Sequence, residues 1–207
     1  MPLHVKKGCY TMMRHNELRD LEAEMLAGVC KNVSTEPILQ PCNGHSFKNV
    51  STNMAKDARL DVAATGFWTP MQKVFLDVRV FHPNAASYIN SKPASVYKTH
   101  ECAKRNEYSE RVINVEHGSF TPLIFSTTGG MGRENATYHN RLAMLTAKKT
   151  NVDYPLVVSY MRRRIRFTLL RTTLLAIRGT RNAKPKDFIR KKFNDIDINL
   201  VEAISSF

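Results

Sequence analysis

Polar and apolar side chains alternate along residues 59–63, and a second apolar run occupies residues 74–81. The segment between them, TGFWTP at residues 65–70, contains the glycine and proline that are typical of turns. Alternation over a short stretch on both sides of such a turn predicts a β-hairpin. The other predicted elements are arranged before and after this hairpin.

Helices are predicted on both sides of the hairpin. Residues 12–31 and 154–178 carry apolar side chains at the three- and four-residue spacing of a helix face, and residues 94–111 and 134–149 predict two more helices. Residues 33–39 predict a strand that Pro37 and Pro41 restrict to the edge of a sheet, and residues 112–126 supply further strand sequence. The element order predicts an α/β (α+β) fold with a central mixed sheet flanked by helices.

The length of 207 residues fits one domain, or a domain with an appendage. We expect residues 1–150 to form the α/β domain and residues 151–181 to form a basic helix that packs on it or extends it. Residues 182–207, a basic stretch followed by an acidic one, are expected to be a weakly ordered tail.

Positive charge is the most unusual feature of the composition, with a formal net charge of +13 and an isoelectric point near 9.8. Residues 160–192 contain eight Arg and four Lys against a single Asp, a net charge of +11. Such an excess favours nucleic acid as a partner, because arginine neutralises and chelates phosphates. A basic helix can also lie on a membrane surface, but arginines interrupt its apolar stripe, so no membrane partner is expected. The candidate phosphate-binding arginines are Arg162, Arg163, Arg164, Arg166 and Arg171.

The cysteines and the N-terminus predict an intracellular protein with reduced thiols. The four cysteines lie far apart without a CxxC pair, and their spacings match no standard zinc site. No apolar run follows the charged N-terminal residues as in a signal peptide, and no segment reaches the roughly 18 apolar residues of a membrane span. If the partner is DNA, a nuclear location is expected.

Two aspartates lie inside the apolar runs of the predicted hairpin, Asp61 in the first and Asp77 in the second. A buried carboxylate needs a cation, and two carboxylates side by side favour a divalent ion such as Mg²⁺ or Mn²⁺. Arg79 follows Asp77 by two residues and therefore projects from the same strand face. These three residues form a candidate site for a metal ion and a phosphate.

Other candidates have two interpretations each. Glu17 is either a first-turn glutamate favoured by the helix dipole or a carboxylate directed towards the hairpin. Lys104 and Tyr108, four residues apart on one helix, either belong to a solvated surface helix or present a cation and a hydroxyl to a phosphate. The glycine-rich segment TTGGMGR at residues 127–133 lacks the ending of a P-loop, and a loop capping the following helix is the favoured interpretation.

The element order, with Glu17 on the first helix, Asp61 on one strand and Asp77-x-Arg79 on the next, resembles the core of restriction-endonuclease-like nucleases of the PD-(D/E)XK type. The resemblance implies that Asp61 and Asp77 are metal ligands, with Glu17 as a further ligand. It also implies that Arg79 and Lys104 balance transition-state charge. Arg79 stands where the family usually has lysine, and a permanently protonated arginine cannot act as a general base. The Lys104-x-x-x-Tyr108 spacing resembles the phosphate-contacting Gln-x-x-x-Tyr motif of exonuclease-type members.

A second resemblance covers roughly residues 3 to 181. The segments RHNE, DVRVFHPNA and VEHGSFTPLIFSTTGG are similar to the carboxy-terminal region of retroelement polyproteins, which carry a reverse transcriptase upstream. This resemblance implies that the chain derives from a mobile element and that the remainder of such a polyprotein is a partner. The sequence after Arg181 departs from the pattern.

We therefore predict a Mg²⁺- or Mn²⁺-dependent nuclease domain that binds DNA, either for element integration or as a decayed copy. The principal alternative is a nucleic-acid-binding module without catalysis. In that alternative, the two aspartates are buried ion-pair partners of Arg79 and Arg59.

Overall fold

The computed structural model describes residues 9–178, so the predicted tail and the end of the 151–181 segment lie outside the described residues. Within this range the chain forms helices and strands in the order α1 Cys9–Ala27, β1 Lys31–Thr35, β2 Val62–Thr65, β3 Lys73–Phe81, α2 Pro93–Asn114, β4 Ser119–Ser126, α3 Arg133–Thr150 and α4 Tyr154–Arg178. Among residues 9–178, none of the helices combines the length and the hydrophobicity that a membrane span requires.

The strands form one four-stranded sheet in the order β1-β2-β3-β4. The first two pairs of neighbouring strands are antiparallel, whereas β3 and β4 are parallel and are connected through α2. Two parallel neighbouring strands need such a crossover, because the chain must return from the end of the first strand to the start of the second, which a tight turn cannot do. The prediction of a mixed α/β fold, with helices around a mixed sheet, is confirmed.

The predicted hairpin is confirmed as β2 and β3, which pair with Val62 opposite Leu76. Its turn begins at Gly66, whose φ of 90° lies in a region that favours glycine. The Gly66 N–H donates a hydrogen bond of 2.9 Å to the Gln72 carbonyl oxygen. These contacts set the register of the two strands and therefore the position of the two aspartates.

The two faces of β3 pack against different helices because side chains alternate along a strand. Val74, Leu76 and Val78 belong to the main core with residues of α1, α3 and α4. Phe75 and Phe81 face α2 in two smaller clusters. Helix α4 contributes four buried residues to the main core: Val157, Met161, Ile165 and Leu169.

Two predicted strand boundaries are wrong. The stretch predicted at 112–126 does not start as a strand, because Val112 is fully buried as part of α2 and β4 begins only at Ser119. Between them, Gly118 approaches β3 so closely that a Cβ would lie 2.9 Å from the Lys73 carbonyl oxygen. The strand predicted at 33–39 is β1 at Lys31–Thr35, and a residue with φ of 50°, Glu36, ends it.

The long connection between β1 and β2 is anchored by Arg111 of α2, which is fully buried. Its guanidinium donates hydrogen bonds of 2.9, 2.8 and 2.8 Å to the carbonyl oxygens of Asn53, Ala55 and Gln40. Five donors in a rigid fork allow one arginine to satisfy several backbone carbonyls. The connection is thereby held against the helix that also carries Lys104.

Candidate functional site

The two aspartates of the hairpin lie beside each other where β2 begins to pair with β3. Asp61 directly precedes β2, whose register with β3 ends at Val62 opposite Leu76, and the Asp61 N–H donates a hydrogen bond of 3.1 Å to the Leu76 carbonyl oxygen. The Asp61 Oδ2 atom accepts a hydrogen bond of 2.6 Å from the Val78 N–H. Like charges on neighbouring strands of a sheet repel each other, so this arrangement calls for cations nearby.

Both carboxyls are largely removed from water, and Asp77 is only 6% exposed. Burial raises the pKa of Asp61 to about 6, against the opposing effect of its hydrogen bond from Val78. Burial likewise raises the pKa of Asp77, to about 7. The charge of Asp61 raises this pKa further, whereas the charge of Lys104 lowers it. Raised pKa values of this kind are typical of functional carboxylates that lack a full set of partners.

Lys104 of α2 supplies the nearest cation to Asp77. Its Nζ atom lies 3.3 Å from Oδ1 and 3.1 Å from Oδ2 of Asp77, and 3.3 Å from a Glu107 carboxylate oxygen. Burial disfavours the charged lysine, but Asp77 and Glu107 outweigh it, so the pKa of Lys104 is raised and the side chain stays cationic. The contact is aligned as a hydrogen bond to Oδ1, whereas the buried Oδ2 has no hydrogen-bond partner among the described residues.

His15 of α1 contacts the other carboxylate, with 3.0 Å between its Nε2 atom and Asp61 Oδ1. Burial lowers the pKa of His15 despite the nearby Asp77 charge, so the imidazole is neutral at neutral pH. Sequence reasoning assigned no role to His15. Its only signal was its place in the RHNE segment of the retroelement resemblance.

The remaining predicted site residues are not all brought together. Glu17 lies where α1 meets α4 and forms an ion pair with Arg171. Arg79 is half-buried and forms no ion pair with any described residue. Tyr108 is 7% exposed and packs on Phe120, with Lys104 Nζ 5.2 Å from its ring centre, so it supports the lysine from within the core.

The two aspartates are a candidate site for a single divalent ion, bound without further protein ligands. The part of the chain that the structure describes contains no group of three or more His, Cys, Asp or Glu side chains gathered as a metal centre. Mg²⁺, however, is commonly bound through one or two carboxylates together with water and substrate phosphates. Asp77 Oδ2, which contacts Lys104 without an aligned hydrogen bond, and the neighbouring Asp61 carboxylate are the two oxygens that could hold such an ion.

The predicted phosphate-binding arginines of α4 divide into two groups. Arg162, Arg163 and Arg166 are exposed. Arg164 is half-buried and donates two hydrogen bonds, of 3.1 and 2.9 Å, to the Glu24 carboxylate, and Arg171 pairs with Glu17. The first group is free of carboxylate partners among the described residues, whereas the second joins α4 to α1, although Arg171 is also exposed.

Residues 127–132 of the glycine-rich segment form a loop before α3, which begins at Arg133, as the favoured interpretation of this segment predicted. The Gly130 N–H donates to Ser126 Oγ at 2.9 Å and the Gly132 N–H donates to the Ile124 carbonyl oxygen at 3.0 Å. The Glu101 carboxylate accepts a hydrogen bond of 3.0 Å from the Glu134 N–H at the start of α3. A cleft of about 880 Å³ lies between α2 and this loop, and it is lined by none of the candidate site residues.

The comparisons with known proteins leave the resemblances to nucleases and retroelements as hypotheses. No protein-family model matches the chain, and no curated protein matches its sequence significantly.

Proposed function

We propose that the chain is a metal-dependent phosphodiester hydrolase domain that acts on DNA. The observation that carries the proposal is the placement of a partly buried Asp61 beside a buried Asp77, with the Lys104 ammonium next to the second carboxylate. Paired carboxylates next to a cation are the groups required to hold a divalent ion and a phosphate in one place. The exposed arginines of α4 supply sequence-independent affinity for the phosphate backbone.

Each residue of the site has a separate task in this proposal. Asp61 and Asp77 would hold Mg²⁺ or Mn²⁺ through their oxygens, and a bound ion supplies an activated water and a Lewis acid for a phosphate oxygen. Neutral His15 and the Val78 N–H fix the orientation of Asp61. Lys104, which stays protonated, stabilises the negative charge that develops on the phosphate.

The finer assignment to the restriction-endonuclease-like fold is part of the same proposal. It is supported by the order α1-β1-β2-β3-α2-β4 and by the two aspartates on neighbouring strands of one hairpin. The retroelement resemblance adds DNA as the substrate, the remainder of a mobile-element polyprotein as a partner, and the nucleus as the location. In this assignment Arg79 stands where the family usually has lysine, and Lys104 of α2 supplies the cation that contacts Asp77.

The test is nicking of supercoiled plasmid by the purified chain with Mg²⁺ or Mn²⁺. We expect nicking that requires the metal and that disappears in the Asp61→Ala/Asp77→Ala double variant. The matched control is Asp57→Asn, which removes an exposed carboxylate from the preceding loop and should leave nicking unchanged. Equal nicking by the double variant would reject the proposed site.

The second candidate function is a nucleic-acid-binding module without catalysis. It is favoured by one observation: both aspartates already contact basic side chains, namely Lys104 and His15. Arg59, expected as a partner in this alternative, instead lies 3.7 Å from Glu36. A binding module should keep its DNA affinity after Asp77→Asn and show no change of melting temperature with Mg²⁺.

A further inference from the structure

Helix α2 runs along one face of β3 and leaves Arg79 between two of its side chains. Lys104 contacts Asp77, and His100, one helical turn earlier, packs on Phe81 with 5.0 Å between the ring centres. Asp77 and Phe81 lie on the same face of the strand, with Arg79 midway between them on that face. Arg79 therefore lies near His100, whose pKa its charge lowers, and near the aspartate pair.

Among the described residues, neither of these two side chains has a polar partner of its own. His100 is 5% exposed, and its Nε2 atom has no hydrogen-bond partner there. Burial lowers the pKa of His100, and the Arg79 charge lowers it further, so its ring is neutral. Arg79 forms no ion pair within residues 9–178. Buried polar atoms are nearly always hydrogen-bonded, so the unpartnered His100 imidazole near the Arg79 guanidinium is a candidate position for an anion.

A phosphate group matches the hydrogen-bonding chemistry of this pair. Arginine binds phosphate with two parallel hydrogen bonds, and a neutral imidazole can donate a third from Nε2. The separation between Asp77 and Arg79 along the strand, about 7 Å, is comparable with the spacing of successive phosphates in a nucleic-acid strand. A strand whose scissile phosphate lies at Asp61 and Asp77 would therefore bring a neighbouring phosphate to Arg79 and His100.

We propose that Arg79 and His100 bind the phosphate adjacent to the scissile one in the same strand. This inference rests on the proposed function and adds a substrate requirement: the enzyme acts on a polynucleotide with a charged flanking phosphate, and acts poorly on an isolated phosphodiester. Arg79 is then a substrate-positioning residue, and Lys104 is the cation at the reacting group.

The experiment tests whether removing one charge from the DNA and removing one charge from the protein have independent effects. Short duplexes carry a single methylphosphonate, which is uncharged, at successive positions of one strand. Affinity is measured with Ca²⁺ in place of Mg²⁺, and cleavage is measured with Mg²⁺. For the wild-type chain, the methylphosphonate next to the cleaved bond should weaken both by about tenfold, the value of one charge-assisted contact.

In Arg79→Met, that same methylphosphonate should cause no further loss, because the arginine that would bind the phosphate is absent. His100→Gln, which keeps a donor, should retain part of the coupling, whereas His100→Leu should lose it. The matched control is Arg133→Met, which removes an exposed arginine at the start of α3. In this variant the methylphosphonate should weaken affinity and cleavage as much as it does in the wild-type chain. The inference would be overturned if the methylphosphonate weakened Arg79→Met as much as it weakens the wild-type chain. It would also be overturned if no methylphosphonate changed the affinity or cleavage of the wild-type chain.

The outcomes also separate this inference from the proposed function. If the effects of the methylphosphonate and of Arg79→Met on affinity are coupled but no metal-dependent cleavage occurs, the phosphate-binding role of Arg79 and His100 stands and the hydrolase is rejected. Metal-dependent cleavage without coupling would keep the hydrolase and reject the role of Arg79 and His100.

Discussion

The Lys104 Nζ atom lies 3.3 Å from Oδ1 and 3.1 Å from Oδ2 of Asp77, which joins α2 to the central strand β3 at the candidate site. Asp77 is almost completely buried, so this contact provides most of the compensation for its charge. The lysine thus has a structural task as well as the catalytic one proposed for it. The two tasks respond differently to pH.

Lys104→Met should destabilise the protein at pH 8 by about 2 kcal/mol, because an ionised Asp77 loses its cation. At pH 5 the loss should be much smaller, since Asp77, with a pKa near 7, is already protonated there. Urea unfolding at the two pH values measures the difference. Lys98→Met, on the exposed side of α2, is the control. A loss that is equal at pH 5 and pH 8 would show that packing of the lysine stem, and not the charge, is responsible.

Asp77→Asn should stabilise the metal-free protein at pH 8. The folded pKa of Asp77 is raised to about 7 from an ordinary value of 3.8. Its contribution to stability is therefore fully present below about pH 4 and is lost as the pH rises through 7. The asparagine does not titrate, so its advantage should be largest at pH 8 and vanish near pH 4. Thermal unfolding across this range checks the prediction, and each kcal/mol corresponds to about 2 to 4 °C for a chain of this size.

Mg²⁺ should reverse the order of these two proteins. A metal that binds the folded state raises the melting temperature of the wild-type chain at pH 8, and the rise grows with the metal concentration. Asp77→Asn, which lacks one ligand, should show little or no rise at the same concentration. An equal rise in both proteins would indicate that Mg²⁺ binds elsewhere.

The arginines of α4 should differ in what they do for nucleic-acid binding. Arg162→Gln and Arg163→Gln each remove an exposed charge and should lower the slope of log affinity against log salt by about 0.9 for each phosphate that is no longer neutralised. Arg164→Gln breaks the paired hydrogen bonds to Glu24 and should cost about 1 kcal/mol of stability with the slope unchanged. Fluorescence anisotropy at several salt concentrations, beside urea unfolding, separates the two effects. A lowered slope for Arg164→Gln would contradict this division.

Local patterns were sufficient to predict the hairpin, and the hairpin was sufficient to predict the aspartate pair. Once the two strands pair as an antiparallel hairpin, the start of β2 meets the middle of β3, and Asp61 lies beside Asp77. The start of helix α4 at Tyr154 was also predicted, because apolar side chains recur at helical spacing over many turns even though arginines interrupt them.

The contacts of α1 could not be predicted, because they depend on how the helix is rotated between the sheet and α4. Successive residues on a helix differ by roughly 100° in direction. This rotation brings His15 to Asp61 and directs Glu17 to Arg171. A sequence identifies the apolar stripe of a helix but does not show which polar residue beside the stripe meets which strand.

Gly130 provides a further test, since it packs where a side chain has no room. A Cβ at this position would collide with the Tyr97 hydroxyl and would lie 3.0 Å from Ser126 Oγ. Gly130→Ala should therefore destabilise the protein by about 1 to 3 kcal/mol, the usual effect of overpacking. Tyr97→Phe removes the colliding oxygen, and the ring carbon that carried it would lie 3.4 Å from the new Cβ, an acceptable contact. The double variant should thus recover most of the loss seen in Gly130→Ala, as measured by urea unfolding of all four proteins. If the changes in unfolding free energy caused by Gly130→Ala and Tyr97→Phe simply add in the double variant, α2 and the loop before α3 do not pack in this way.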